Sequence, residues 1–360
     1  MNKKTLNILP LEFETRSVCK SLDAKNFLDE VHRLILRTVS QNSSKKLEHM
    51  TLKHLEATGK MLRPHIVRDL ALCFDLKLEQ ALPWASSCEL LHNATLIHDD
   101  IQDGDDTRRG LPAIWKEFGV HQAINVGDFL LTLAPQPIIQ SYEYDNRELL
   151  SLFTVMSSRI VGGQVDEFEL GKFINHQDLL DRYLDCITGK TSTLFAGLAI
   201  GVGMTSGQEK STLRHLEDIF SQLGVIFQIQ NDILDFYSGT KDMEQFSDIK
   251  EGKISFLVIN YLSMHPEKLK TVQIILDKSR ELTTIEDIDK IKELFETSRN
   301  FSSSVDFIKS KIQKLQSHTY LKENGRLLSI IEELVQKILQ PIEVIERARE
   351  NSCVENRKVL

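Results

Sequence analysis

Helix breakers are scarce in this chain. Eight prolines and seventeen glycines punctuate 360 residues, a density that suits long helices and leaves few turns for a many-stranded fold. The apolar pattern agrees. Phe27, Leu28, Val31, Leu34 and Ile35 recur at three- and four-residue steps, and so do Leu327, Ile330, Ile331, Leu334 and Ile338, a run that should stop before Pro341. Glu89 to Asp103 reads as one helix, with Leu90, Ala94, Ile97 and Ile101 spaced around one side. Gly224 to Phe236 reads as another, apolar nearly all round except for Gln228, Gln230 and its acidic end, which places it in the centre of a bundle. No alternating strand pattern of useful length occurs. The expected fold is all-α: a single domain over residues 1–360, one large helical bundle with helices lining a central cavity.

Less regular stretches are expected at Ser238 to Glu251, a polar loop with Gly239 inside it, and at Asn300 to Ser304, a helix–helix connection. Residues 341–360 form a highly charged tail, expected to be partly disordered. A net charge of −8 and the lack of a basic stripe argue against a nucleic-acid surface. The five cysteines are scattered without a CxxC pair, so neither a zinc site nor a disulfide framework is indicated. Lys3 and Lys4 precede no long apolar stretch and no segment reaches membrane-span length, so the expectation is a cytoplasmic protein with no secretory signal and no membrane span.

Two acidic clusters carry the chemistry. Asp99-Asp100-Ile101-Gln102-Asp103 and Asn231-Asp232-Ile233-Leu234-Asp235 each end an apolar helical run. Carboxylates three and four apart share one helix face, and such a patch needs cations. Arg108 and Arg109 follow the first cluster; Lys190 precedes the second and Lys253 follows it. Oxygen ligands completed by water and phosphate are what Mg²⁺ prefers, so the pattern describes a pocket for a diphosphate held through Mg²⁺. Gly189-Lys190-Thr191 is not a P-loop, because Leu184 stands where a glycine is required. Asp166, Glu167 and Glu169 read as a helix face near the site. His92, on the apolar helix, reads either as a core histidine or as a ligand contact.

With these motifs in order the chain resembles the trans-isoprenyl diphosphate synthases. Gly59-Lys60-Met61-Leu62-Arg63-Pro64 is similar to their GKxxRP. Glu89 to Gly110 is similar to the first aspartate-rich motif with its trailing Arg-Arg-Gly, Gly127-Asp128 to AIxxGD, and Asp248 to Lys253 to DxxEGK. Gly163-Gln164, Gly189-Lys190-Thr191 and Phe227-Gln228 fall in the expected order. The motif core covers 59–253; residues 254–340 fit only as C-terminal helices.

The resemblance implies head-to-tail condensation of isopentenyl diphosphate with an allylic diphosphate that ionises to a carbocation. It implies that Asp99 and Asp103 hold two Mg²⁺ ions, with Asn231, Asp232 and Asp235 serving a third, and that Arg108, Lys190 and Lys253 contact the diphosphate beside Thr191 and Gln228. A second, metal-free pocket would comprise Lys60, Arg63, His92 and Arg109. It further implies a homodimer.

Three departures stand out. The second acidic motif begins with Asn231 where aspartate is usual, so the third metal should bind more weakly. The lysine usual before DxxEGK is missing, with Lys241 its nearest candidate. Pro135 and Pro137 should break the helix after Asp128. Related helical cyclases use such an asparagine, which makes a class I terpene cyclase the alternative function. A non-catalytic partner subunit is a third, against which the intact first motif speaks. Thr95 and Ala94, four and five positions before Asp99, are small, and Leu91 and Cys88 below them are not aromatic. The tail tunnel is therefore expected to be open for geranylgeranyl or longer products, with Ala94→Phe shortening them and Phe129 or Phe153 as alternative plugs.

Overall fold

The computed structural model describes residues 22–358 apart from 58, 142–145, 176 and 239–244. The polar stretch Ser238 to Glu251, expected as a loop, lies partly outside the described residues, as does Lys241, and its described end holds the short helix Ser247–Lys250. In chain order the helices are α1 (Phe27–Asn42), α2 (Lys45–Glu56), α3 (Leu62–Cys73), α4 (Leu78–Asp103), α5 (Ile114–Phe118), α6 (Val120–Leu133), α7 (Gln136–Ile139), α8 (Arg147–Glu169), α9 (Leu179–Ile187), α10 (Thr193–Thr205) and α11 (Lys210–Tyr237). Beyond these come α12 (Ser247–Lys250), α13 (Phe256–Met264), α14 (Leu269–Leu276), α15 (Ile285–Glu296), α16 (Asn300–Gln316), α17 (Thr319–Glu323) and α18 (Gly325–Lys358). The one pair of strands described, Thr107–Arg108 with Leu111–Pro112, is a two-residue hairpin turned through Arg109 and Gly110 at positive φ.

Burial explains why α4, α10 and α11 sit centrally. α10 (TLFAGLAIGVGMT) is apolar all round and buried over most of its length. It packs against α3, α4, α8 and α11. Small side chains, Ala81, Ala85, Ser86, Ser87 and Cys88, bury the first half of α4, and its second half carries the acidic cluster. Gly104 in the left-handed region (φ 70°) ends the helix, its N–H bonded to the Asp100 carbonyl.

Local expectations fared unequally. The prolines do break the helix, since α6 ends at Leu133 and the short α7 starts at Gln136. The expected connection at Asn300 is instead the first turn of α16, where Asn300 is wholly buried. The Asn260 amide donates to the Asn300 carbonyl and side-chain oxygens and to Ser303 and Ser304, so a polar knot anchors a stretch whose composition reads as a linker. Pro341 does not stop α18 either. The helix runs on with Ile342 fully buried, and Arg349 and Glu346 tie this part to Glu296 and Lys309, so the first half of the charged tail expected to be partly disordered is helical. A proline costs one backbone bond, and burial of the next turn offsets it.

Candidate active site

A cavity of about 430 Å³ lies between α4, α8, the α9–α10 junction and α11. One stripe of α4 lines it: Leu91, His92, Thr95, His98, Asp99, Gln102 and Asp103, the set that three- and four-residue steps bring to one face. Opposite stand Lys190 and Thr191, then Gln228 and Asn231 of α11, with Lys253 and Arg108 also in the lining. Ile160, Leu194 and Phe227 make the deeper wall apolar. The site is thus ionic at one end and greasy at the other.

The three aspartates of the first cluster are not equivalent. Asp100 turns away from the cavity, is 1% exposed, and accepts from Arg108 Nε at 2.6 Å. Burial pushes its carboxyl up to about 6 against the opposing charge of Arg108. Asp99 faces the cavity 3.9 Å from Lys190 Nζ. Burial raises its pKa, Lys190 opposes, and Asp103 and Glu167 add to the rise. Asp103 accepts from Lys253 at 2.8 Å through Oδ2, while its Oδ1 is buried with no hydrogen-bond partner. An orphaned carboxylate oxygen beside a second, mutually repelling carboxylate lacks a cation, and hard oxygen donors suit Mg²⁺. Among the described residues no three His, Cys, Asp or Glu side chains converge on one point. These two carboxylates therefore fit a metal whose shell is completed by substrate phosphate and water.

Lys190 and Thr191 reach the cavity because the chain there is a π-helical turn, Thr188–Ser192, between α9 and α10. Two glycines let neighbouring helices touch its backbone. A Cβ on Gly163 of α8 would lie 2.3 Å from Lys190 N, and one on Gly224 of α11 would lie 2.5 Å from Ser192 Cα. Lys190 Nζ donates to Glu167 at 2.6 Å. Burial alone would lower its pKa, but Asp99 and Glu167 together raise it, so it stays a cation. Thr191 donates to Gln228 at 2.9 Å, and Gln228 donates onward to Asp232 at 3.0 Å.

The second cluster divides. Asn231 alone lines the cavity. Asp232 is buried behind it, where it accepts from Tyr183 Oη at 2.6 Å and from Phe256 N, the first residue of α13, at 2.7 Å. Asp235 accepts from Ser247 N and Asp248 N at the start of α12. Both carboxylates therefore sit at helix N-termini, where free N–H groups and the helix dipole favour an anion. In this arrangement Asp232 and Asp235 fasten the segment bearing Lys253 onto α11, and Asp232 also lines an adjoining cavity of about 80 Å³ with Lys190, Gln228 and Lys253.

A second cationic recess adjoins the first. Arg63 and His92 line the cavity itself, whereas Arg109 lies behind them around a small recess with Gly59, Glu89 and Asn93. Arg109 donates to the Ala57 carbonyl at 2.6 Å, whereas Lys60 is exposed and lines neither cavity. Burial lowers the Arg63 pKa to about 10, which leaves it charged. Burial, reinforced by Arg63 and Arg109, holds His92 well below the usual histidine range, so it is neutral. Glu89 is the buried counter-charge. Asn93 donates to it at 3.3 Å and to its carbonyl at 2.8 Å, which orients the amide so that His54 Nε2 donates to Asn93 Oδ1 at 3.1 Å.

Of the positions expected to face the growing tail, Leu91 and Thr95 line the cavity. Ala94 does not; it is 1% exposed in the packed interior, because one residue from Thr95 is a turn of about 100° around the helix. Sequence reasoning placed Glu167, which pairs with Lys190, near the site but gave it no role, and passed over Glu89, which balances Arg63. Glu167 stood in an acidic run with no neighbour in sequence to explain it, and Glu89 only opened a motif.

The sequence profile described as polyprenyl synthetase matches residues 44–296. A short chain isoprenyl diphosphate synthase of Methanocaldococcus jannaschii is 33% identical over 252 residues, covering 68% of this chain and 75% of that one. A geranylgeranyl diphosphate synthase of Methanosarcina mazei is 30% identical over 292 residues, covering 79% and 84%. Among solved structures, a polyprenyl synthase from Caulobacter crescentus, complexed with calcium and isoprenyl diphosphate, superposes with a TM-score of 0.77 at 25% identity, covering 88% of this chain and 95% of the other. A geranylgeranyl pyrophosphate synthase from Lactobacillus brevis gives 0.74 at 27% identity, covering 88% and 96%. With a profile spanning most of its length and relatives at this level of identity, the chain belongs to the polyprenyl synthetase family.

Proposed function

We propose that this protein is a trans-prenyl diphosphate synthase that condenses isopentenyl diphosphate head-to-tail with an allylic prenyl diphosphate, giving a geranylgeranyl or longer product. The observation that carries the reading is the pairing of two anion sites of opposite design around one apolar-ended cavity: carboxylates and cations mixed at Asp99, Asp103, Lys190 and Lys253, and nearly pure cation at Arg63 and Arg109. Bound Mg²⁺ supplies charge that stabilises the departing diphosphate. Asp99, Asp103 and Asn231 would hold it. Arg108, Lys190 and Lys253 would hydrogen-bond the diphosphate oxygens, stabilising charge where it develops as the allylic C–O bond breaks. Arg63, Arg109, Lys60 and the neutral His92 would hold the second diphosphate so that its alkene faces the cation, turning a bimolecular encounter into a positioned one. The apolar wall of Leu91, Ile160 and Leu194 would shield the cation from water.

Cyclisation, for which Asn231 speaks, leaves Arg63 and Arg109 without a use. Homodimerisation and a cytoplasmic location complete the proposal. Val120 and Ile124 of α6 and Val155 of α8 are exposed apolar side chains that a second copy could cover. The described cysteines, Cys73, Cys88 and Cys186, are free, and no described helix is long and apolar enough to cross a membrane. The test supplies Mg²⁺ and geranyl or farnesyl diphosphate with and without isopentenyl diphosphate, and extracts products before and after phosphatase. Longer chains that need both isopentenyl diphosphate and phosphatase support the proposal; a hydrocarbon or alcohol formed without either refutes it in favour of cyclisation.

A further inference from the structure

Arg280 stands outside every motif, 27 residues beyond Lys253, on a short 3₁₀ turn after α14. Its guanidinium nevertheless reaches the ionic end of the cavity. Nη1 donates to the Asp103 carbonyl at 2.6 Å, to Glu251 Oε1 at 2.8 Å and to Asp105 Oδ1 at 3.1 Å. The other Glu251 oxygen lies 2.6 Å from Lys253 Nζ, which itself donates to Asp103 Oδ2. Arg280, Glu251, Lys253 and Asp103 thus form one chain of alternating charge, closed on the last residue of α4. The segment carrying Arg280 is seated firmly. Gly252, at φ 70°, lies so close to it that a Cβ there would come 2.2 Å from the Leu276 carbonyl oxygen. Lys278 grips Asp287 at the start of α15 through both carboxylate oxygens, at 2.7 and 2.6 Å.

We propose that Arg280 is a positioning residue for the metal–diphosphate end of the site. The proposal rests on the function given above and extends it to a part of the chain with no motif. Arg280 acts in two ways. By donating to a terminal carbonyl of α4 it fixes the helix end from which Asp103 projects. By occupying one oxygen of the nearly buried Glu251 it shares that carboxylate's charge, so that Lys253 is free to exchange Asp103 and Glu251 for diphosphate oxygens. Without Arg280, Glu251 is left with Lys253 as its cation in a poorly solvated site. Such a pair is tight and directional, and it holds Lys253 away from the substrate.

The variants are Arg280→Gln, Arg280→Lys and the double variant Arg280→Gln with Glu251→Gln. For Arg280→Gln the KM for the allylic diphosphate and the half-saturating Mg²⁺ concentration should each rise roughly tenfold, the loss of one charge-assisted contact, with the KM for isopentenyl diphosphate unchanged. Arg280→Lys should recover part, since one ammonium can balance Glu251 but cannot also span Asp103 and Asp105. The double variant should recover diphosphate affinity, because the amide no longer holds Lys253. Calorimetric titration of each protein with inorganic diphosphate in Mg²⁺ reads the same order without turnover. Equal losses for both substrates, or no recovery in the double variant, would reduce Arg280 to a structural prop and overturn the proposal; so would an Arg280→Gln protein that binds Mg²⁺–diphosphate like wild type. If the wild-type protein failed to use isopentenyl diphosphate at all, the proposed function would fall, while the diphosphate titrations would still decide the role of Arg280.

Discussion

Trp84 should set the length of the product. Trp84, Cys88, Leu91, Thr95 and Asp99 follow one another at steps of four, three, four and four on α4, one stripe running down from the carboxylate proposed to hold metal. Fifteen residues at 1.5 Å per residue put Trp84 about 22 Å below Asp99. An isoprene unit adds roughly 5 Å of extended chain by ordinary carbon geometry, so four units, a geranylgeranyl tail, reach the indole. Leu91 stands about 12 Å down and must yield first. Burying five more carbons is worth about 4 kcal/mol at ~0.8 per carbon, against ~1–3 kcal/mol for crowding a core side chain, so the tail pushes past Leu91. Trp84 resists. Its Nε1 donates to the Leu198 carbonyl at 3.2 Å, Phe153 packs edge-on at 6.3 Å, and the ring presses so closely on Gly201 that a Cβ there would lie 2.0 Å away. Trp84 itself lines a second cavity of about 160 Å³. Trp84→Leu should join the two and shift the main product at least one isoprene unit beyond geranylgeranyl; Leu91→Phe should shorten it by a unit. The assay is chromatography of phosphatase-treated products, with denaturant midpoints to show that the protein survives a loss of no more than the ~3–5 kcal/mol typical of truncating a buried aromatic to alanine. A folded Trp84→Leu protein with the wild-type product distribution would refute the reasoning.

Other outcomes follow from the polar network. Burial, with Arg109 adding to it, lowers the His54 pKa from 6.5 to about 4. Protonation therefore favours the unfolded chain, and stability present above pH 6.5 should be lost as pH falls towards 4, by about 2 kcal/mol at pH 5 from this group. Urea midpoints at pH 7.5 and 5 should show a smaller drop in His54→Gln than in wild type, and an equal drop would contradict the assignment. Asn231→Asp adds a charge at the one member of the second cluster that lines the cavity, so the half-saturating Mg²⁺ concentration should fall several-fold in initial-rate titrations. An unchanged value would remove Asn231 from the metal site.

How much of this was legible in the sequence depends on how local its cause is. The cavity stripe on α4 and the central placement of α11 follow from periodicity within a single helix, which one chain displays. Arg108, Lys190 and Lys253 were found because each lies in a motif. The division between Asn231 and its neighbours was not legible: Asp232 and Asp235 belong to α13 and α12 as N-terminal anchors, and nothing in five consecutive residues tells which helix end will later approach them. Ala94 was misplaced by one position, which on a helix is enough to move a side chain from the cavity wall into the core. The continuation of α18 past Pro341 rests on contacts with α15 and α16, and tertiary burial overrides a local breaker.

The two anion sites differ in sign before any ligand arrives, and this fixes how each must be filled. Around the allylic end, Asp99, Asp100, Asp103, Asp105, Glu167 and Glu251 face Arg108, Lys190, Lys253 and Arg280, a formal excess of two carboxylates over cations, which burial reduces by pushing the Glu251 carboxyl up to about 7. Every one of those cations already has a carboxylate partner. A diphosphate brought there alone would meet a negative field in a poorly solvated cavity, where like charges repel far more than in water. It can enter only with divalent cations, and the protein's cations then change partners, which also lets the product diphosphate leave. Around the second recess, Arg63 and Arg109 outnumber Glu89 and His92 is neutral, a net charge of +1. A diphosphate can settle there unaided, with arginine forks matching its oxygens. Chelation should therefore separate the substrates: with EDTA, calorimetry should show isopentenyl diphosphate still binding and the allylic diphosphate losing most of its affinity, at least tenfold or ~1.4 kcal/mol. If both bind alike without metal, the carboxylates at the allylic end are not charged as drawn, and the asymmetry between the two sites has another cause.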